Sequence, residues 1–271
     1  MLKRPKWGLV AAGLLGVLVL LSGCGGGDKR HGPLGTLKEG TLQAGLAVPA
    51  PPLEFGRAPA FKGFDVDFVR ELARRLKLRP QFVQSPSAEL LSGLKDDRFD
   101  IAASSVLIKQ EKPDGIEFST PYFPADQSLV VKKGSSIKTT YDLRDRLAGA
   151  LDGTTGAAVV EDRKFGNKFR RFRSVDEAFR ALEEGTIDGF IYDFAYSTWA
   201  VKSRPQLRVV QTIETADLYG VAVEEGSKDL LRAINRAISN MKGDGTYVRI
   251  YKKWFKLPPP LAIINTPDVP E

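Results

Sequence analysis

Gly63-Phe64-Asp65-Val66-Asp67-Phe68-Val69-Arg70-Glu71-Leu72-Ala73-Arg74-Arg75-Leu76 is the stretch from which the fold is read. From Asp65 onward its apolar residues fall at Val66, Phe68, Val69, Leu72, Ala73 and Leu76. Spacings of three and four place them on one stripe of a helix, with the charges on the opposite side. Such a helix needs an apolar surface to cover. The neighbouring segments Thr41 to Ala47 and Gln81 to Val83 read as short strands, so the unit is strand, helix, strand, which argues for α/β architecture.

The alternation continues outward. Ser87 is the expected N-cap of a helix running to Lys95, Asp100 to Ser104 reads as a short buried strand, and Gln127 to Lys132 reads as a strand leaving the first lobe. A second series follows: a strand at Ala148–Leu151, a helix after Thr154, a strand near Arg171 and a helix from Asp176 to Glu183. Ile187–Ile191, a helix through Trp199 and a strand at Leu207–Gln211 complete it. Tyr219 to Val223 reads as a return strand, and helices at Lys228 to Lys242 and Tyr247 to Phe255 close the first lobe. The expected organisation is two lobes with mostly parallel sheets joined by two hinge strands. Residues 37–130 plus 220–257 form lobe 1, 131–219 form lobe 2, and 258–271 form an irregular Pro-rich tail. Periodicity permits this topology without proving it.

At the N-terminus, Lys3, Arg4 and Lys6 precede a run of apolar and glycine residues from Trp7 to Leu21. This fits a secretory signal peptide over residues 1–23. The run is shorter than the roughly 20 residues of a spanning helix; an uncleaved anchor is the competing reading. Leu21-Ser22-Gly23-Cys24 resembles the bacterial lipobox, in which cleavage precedes the cysteine and its thiol carries diacylglycerol. Cys24 is the single cysteine of the chain, so no intramolecular disulfide is available to it. Residues 24–36 then read as the lipidated cysteine and a flexible tether, with the single histidine, His31, taken as linker rather than ligand. Two or more acyl chains, palmitate among them, would anchor the protein stably where one would not.

Removing residues 1–23 takes three basic groups with it and leaves 37 Lys and Arg against 33 Asp and Glu. The densest basic stretch holds Arg163, Lys164, Lys168, Arg170, Arg171 and Arg173. In an exported chain this suits a solvated face or an anionic membrane contact, not nucleic acid.

Three separated segments resemble the bacterial extracellular solute-binding proteins of family 3, the polar amino-acid receptors of ABC importers. They are Gly63-Phe64-Asp65-Val66-Asp67-Phe68 through Ala73, Phe99-Asp100-Ile101 through Phe118-Ser119-Thr120-Pro121-Tyr122-Phe123, and Asp244-Gly245-Thr246-Tyr247 through Lys253-Trp254-Phe255. The resemblance spans about residues 37–256 and implies a type 2 periplasmic-binding-protein fold that closes on its ligand by hinge motion. It also implies a monomer, working with an ABC transporter permease outside the cytoplasm, in a periplasm or on the outer face of a plasma membrane, and needing no cofactor or metal.

The same resemblance assigns the pocket. Lys112 stands where the family has an arginine that clamps the ligand's α-carboxylate, and Leu107 where it has a hydroxyl; Ser105 lies in the same stretch. A lysine lacks the arginine's bidentate fork. Gly153-Thr154-Thr155-Gly156 corresponds to a helix-opening turn whose N–H groups suit an anion, although a plain N-cap accounts for the same letters. Asp193 corresponds to the ammonium-binding aspartate, while Asp188 reads as structural. Ala50 and Leu53 occupy the positions of an aromatic wall, and Ala47 replaces a polar residue.

The leading expectation is a receptor for an amino acid or related zwitterion. A sensory or scaffold lipoprotein that lost its ligand is the alternative. A lyase on the same fold is less favoured, because no nucleophile–base set or metal cluster is present in the sequence.

Overall fold

The computed structural model describes residues 30–266, except 109, 110, 112, 166 and 167. It begins with the unit expected from the sequence: strand β1 (Thr41–Leu46), helix α1 (Phe64–Arg75) and strand β2 (Arg79–Gln84). Gly63 makes the close packing at the start of α1 possible. A Cβ there would stand 2.0 Å from the carbonyl oxygen of Leu53, and its φ of 138° lies outside the range of other residues. The backbone N–H groups of Phe64 and Asp65 donate to the carbonyls of Pro52 and Leu53 at 3.0 and 2.9 Å. Two of the orphan donors at the helix start are thus satisfied by the preceding loop.

Helix α2 (Leu90–Lys95) and strands β3 (Ile101–Ala102), β4 (Ile116–Phe118) and β5 (Phe123–Pro124) follow. Ser87 does not cap α2: it opens a 3-10 turn, Ser87–Glu89, whose Pro86 cap makes no side-chain bond. The chain then runs through β6 (Gln127–Lys132), β7 (Leu147–Leu151), α3 (Thr155–Asp162), β8 (Lys168–Phe172) and α4 (Val175–Glu184). Next come β9 (Gly189–Asp193), α5 (Phe194–Ala200), β10 (Leu207–Ile213), β11 (Leu218–Tyr219) and β12 (Ala222–Glu224). Helices α6 (Lys228–Gly243), α7 (Thr246–Phe255) and α8 (Leu261–Ile264) end it.

Two five-stranded sheets result, ordered β2-β1-β3-β12-β4 and β10-β6-β9-β7-β8. The architecture is α/β and two-lobed, as expected. Each sheet is mixed rather than mostly parallel. Strand β12 returns antiparallel to β3 and β4, and β6 enters antiparallel to β9 and β10. Strand β6 is also not the last strand of lobe 1: it lies inside the second sheet, where Leu129 and Val131 face one core and Val130 the other. The passage between lobes is instead the two-stranded pair β5 and β11. Its backbone bonds run from Tyr122 N to Tyr219 O at 2.9 Å and from Ala125 N to Asp217 O at 2.8 Å. The expected return strand, 219–223, is accordingly divided between β11 and β12.

In lobe 1 the sheet is covered by α1, α6 and α7 on one face and α2 on the other. Phe64 is the hub. Its ring lies 5.1–6.3 Å from those of Tyr122, Phe123, Tyr247, Tyr251 and Phe255. The described ends are more ordered than the sequence reading assigned. Within 30–36, expected as tether, Arg30 pairs with Asp97 and Glu224, His31 bridges Thr36, and Leu34 packs on the lobe 1 core. In the Pro-rich tail, α8 buries Ile263 against that core. Cys24 and residues 1–29 lie outside the described residues. None of the described helices is long and apolar enough to cross a membrane.

Candidate functional site

The carboxyl ends of parallel strands are where open α/β sheets place ligands. In lobe 1 these ends carry Ala47 after β1, Ser85 after β2, and Ser104 and Ser105 after β3. Together with Ala50 and Glu54 from the loop after β1, they line a cavity of about 260 Å³. Small side chains at Ala47, Ala50 and Ser87 leave this volume open.

The floor of the cavity is acidic. Glu54 and Asp65 are almost wholly buried, 1% and 0% exposed. Ser104 Oγ donates to Glu54 Oε1 at 2.7 Å and accepts the N–H of Ala47 at 2.9 Å. The N–H of Ser105, in the left-handed region at φ 53°, donates to Asp65 Oδ2 at 3.1 Å, and its hydroxyl reaches Glu54 Oε1 at 3.5 Å. Two carboxyls in such a place cannot both be ionised. Burial raises both above the usual carboxylate range, Glu54 the more, with the charge of Asp65 pushing it further. Glu54 Oε2 and Asp65 Oδ1 are buried with no other hydrogen-bond partner. A proton kept on Glu54 and donated to Asp65 satisfies that need and leaves the pair a single negative charge. The buried hydroxyl of Tyr122 is pushed up too, first by burial and then by Asp65 and Glu54.

Lobe 2 presents two helix N-termini. Asp193 ends β9 and caps α5, accepting the N–H of Tyr196 at 2.7 Å. Burial lifts its carboxyl to about 6 against the bonds from Tyr196 and Ala195, with Asp126 adding to the rise. Thr154 caps α3: its Oγ1 accepts from Ala157 N at 3.4 Å and donates to Leu151 O at 2.7 Å. Gly156 lets this helix start press on β9, since a Cβ there would meet Ile191 O at 2.8 Å and Gln127 Oε1 at 3.0 Å. The turn at Gly153, Thr154 and Thr155 follows β7 and Asp193 ends β9, two adjacent parallel strands of the lobe 2 sheet. Asp188 accepts the N–H of Leu147 at 2.9 Å.

Tyr219 stands on the crossing strand β11, opposite Phe123 of β5. Its hydroxyl is pushed well up by burial, then by Asp193 of lobe 2 and by Asp65 and Glu54 of lobe 1. Leu107 bridges the same residue from the loop after β3.

Of the residues expected from the sequence, Ala50 and Ser105 line the lobe 1 cavity, while Asp193 and the Gly153–Gly156 turn belong to lobe 2. Leu53 does not line it. At 5% exposed it packs in the lobe 1 core, because the 50–54 turn directs it inward beneath α1. Lys112 lies outside the described residues. Sequence reasoning missed Glu54, Asp65, Ser85, Ser104 and Tyr219 as site residues. Asp65 carried a signal: it shares the helical face of Phe68, Val69 and Leu72, where a charge has no solvent. A larger groove of about 430 Å³ between α1 and α7 is lined by charges that pair with one another, Arg74 with Glu71 at 2.7 Å and Lys253 with Asp67 at 2.6 Å. Among the described residues no cluster of His, Cys, Asp and Glu could hold a metal ion.

The family profile described as bacterial extracellular solute-binding proteins, family 3, matches residues 42–257. The chain is 31% identical over 220 residues to ABC transporter arginine-binding protein 1 of Escherichia coli K12, covering 79% of this chain and 90% of that protein. It is 32% identical over 230 residues to the L-cystine-binding protein TcyJ of the same organism, covering 83% and 86%. Among solved structures it resembles an ancestral arginine-binding protein bound to arginine, with 34% identity and a TM-score of 0.62 over 80% of this chain and 98% of the other.

Proposed function

The chain belongs to the bacterial extracellular solute-binding proteins, family 3, and we propose that it is the receptor of an ABC importer, binding an amino acid or related zwitterion between its lobes. The observation that carries this reading is the pair of polar walls at strand ends, Glu54 with the serines on lobe 1 and Asp193 with the Thr154-capped helix start on lobe 2. The names of its relatives, which bind arginine and cystine, support it.

In this reading Asp193 holds the ligand's amine. The turn at Gly153, Thr154 and Thr155 offers N–H groups to its carboxylate, and Lys112 provides the opposing cation. The lobes correspond to the two sheets, with their boundary at the β5 and β11 pair. Closure on the ligand gives the permease a distinct shape to recognise. The chain acts as a monomeric binding protein rather than an enzyme, held outside the cytoplasm by acyl chains on Cys24. The small residue at Ala50 favours one second reading, a lipoprotein that kept the fold without an amino-acid ligand. A thermal-shift screen against the amino acids and small amines decides between them. A receptor gains several degrees with at least one compound; a flat response to all of them rejects it.

A further inference from the structure

The charges along the groove between α1 and α7 are unevenly matched. Four cations line it, Arg70, Arg74, Arg249 and Lys253, against two acids, Asp67 and Glu71. Both acids are sunk, their side chains 16% exposed, while Arg70, Arg74 and Lys253 stand over them at 43%, 68% and 61%. Arg249, also exposed, donates to the hydroxyl of Thr246 at 3.0 Å, which leaves its charge unbalanced. The layer that meets solvent is therefore cationic. Lys252 and Lys256 extend it, and the chain then exposes Leu257 and Leu261, at 49% and 74%. Exposed ion pairs of this kind contribute little, so a competing anion can displace them.

We propose that this flank of lobe 1 docks on an anionic phospholipid bilayer, its arginines and lysines meeting lipid phosphates and Leu257 resting at the headgroup level. Basic groups beside exposed leucine suit such an interface, and each Lys or Arg near it adds to the attraction. The fork of Arg74 is already closed on Glu71, through Nε at 2.8 Å and Nη2 at 2.7 Å. The groove thus lacks a preset cradle for one free phosphate, and a fluid array of headgroups fits it better. The chain also enters the fold at the same end. Arg30 pairs with Asp97 ahead of β3. Helix α1 finishes at that end of the sheet, where the N–H of Arg79 donates to the carbonyl of Gly40 ahead of β1, parallel to β3, at 2.9 Å. An N-terminal attachment, acyl or apolar, would bring this flank to the membrane. The inference rests on the charge of the folded body and is independent of what lies between the lobes.

Lysine footprinting tests this on the full chain, reconstituted in vesicles of phosphatidylcholine alone or mixed with phosphatidylglycerol. A water-soluble amine-reactive reagent is followed at each lysine by mass spectrometry. On the mixed vesicles Lys252 and Lys253 should react at least about fivefold more slowly, the factor that one basic group gains at an anionic surface. The exposed Lys133 and Lys138 of lobe 2 should react equally on both. In about 1 M salt, where the screening length is about 3 Å, the difference should vanish. Arg249→Glu combined with Lys252→Glu should abolish the protection of Lys253. Equal labelling on the two vesicles overturns the proposal, as does protection confined to Lys164 of lobe 2. Protection by soluble polyglutamate that phosphatidylglycerol fails to reproduce also overturns it, and would assign the flank to an acidic protein segment. If the double variant fails to fold, the lipid and salt dependence of the wild-type footprint decides.

Discussion

Ser104 joins Glu54 to the first strand: its hydroxyl gives a 2.7 Å hydrogen bond to the buried carboxyl while accepting the N–H of Ala47. One side chain thus ties the ends of β1 and β3 to the floor of the cleft. Ser104→Ala would leave a buried carboxyl oxygen and a backbone N–H without these partners. The expected loss is about 2 kcal/mol of unfolding free energy, measured by urea titration. A change below about 0.5 kcal/mol, the range of ordinary surface substitutions, would show that the bond contributes little.

Asp193 caps α5, and substitution can separate that duty from its proposed hold on the ligand's amine. Asparagine caps a helix about as well as aspartate, so Asp193→Asn should keep the melting temperature near wild type. It removes the charge, and affinity for an amine-bearing ligand should fall about a hundredfold, the range found when a charge-assisted bond is lost. Asp193→Ala should lose both stability and binding. Unaltered affinity in the asparagine variant would reject the ammonium role.

The carboxyls of the cleft set a pH dependence opposite to that of the ligand. Asp193 titrates at about 6 when folded and from 3.8 when free. The native state therefore binds the extra proton between those values, and stability falls as pH rises through that window. Glu54 and Asp65 are raised as well and act in the same sense. Asp244 works the other way: its bond to Arg75 holds it down to about 2, so its contribution is lost as pH falls below about 4. The apoprotein should accordingly melt higher at pH 5 than at pH 7.5, by scanning calorimetry. Amine binding should weaken below about pH 6, where Asp193 takes up its proton.

Gly156→Ala places a methyl 2.8 Å from Ile191 O and 3.0 Å from Gln127 Oε1. Helix α3 must then lift from β9, at a cost of about 1–3 kcal/mol. Its N-terminal turn, proposed to hold the ligand's carboxylate, shifts in the same step, so ligand affinity should fall together with stability.

Cys24 is tested in the cell. Radiolabelled palmitate should enter the wild-type chain and not Cys24→Ala, which should be found in the soluble envelope fraction. Equal membrane retention of both proteins would replace the acyl anchor by an uncleaved apolar segment.

Much of the fold is legible in the sequence because local pattern and packing agree. The stripe from Val66 to Ala73 becomes the buried face of α1, and Thr154 caps α3 as its letters suggest. Strand membership is less legible. Gln127 to Lys132 is a strand by composition, yet only pairing with β9 and β10 puts it in lobe 2. The site divides the same way. Asp193 could be located at a strand end from its position alone. Glu54 and Ser104 lie 50 residues apart, and no periodicity joins a turn after β1 to the end of β3. Leu53 shows the converse failure: next to a site residue in sequence, it points into the core.

Were Cys24 to carry the proposed lipid, the docked turn at 30–36 would fix where the folded body is held. Arg30 is clasped by Asp97, ahead of β3, and by Glu224, level with the start of that strand. Ser104 and Ser105 stand past the other end of the same strand. A lipid on Cys24 would therefore be leashed to the pole of lobe 1 facing away from the ligand mouth, by a stretch that can reach at most about 20 Å. A receptor moored this way would hold its opening toward the incoming solute. To present that opening to a permease in the same membrane, a receptor so anchored would have to roll over on its leash.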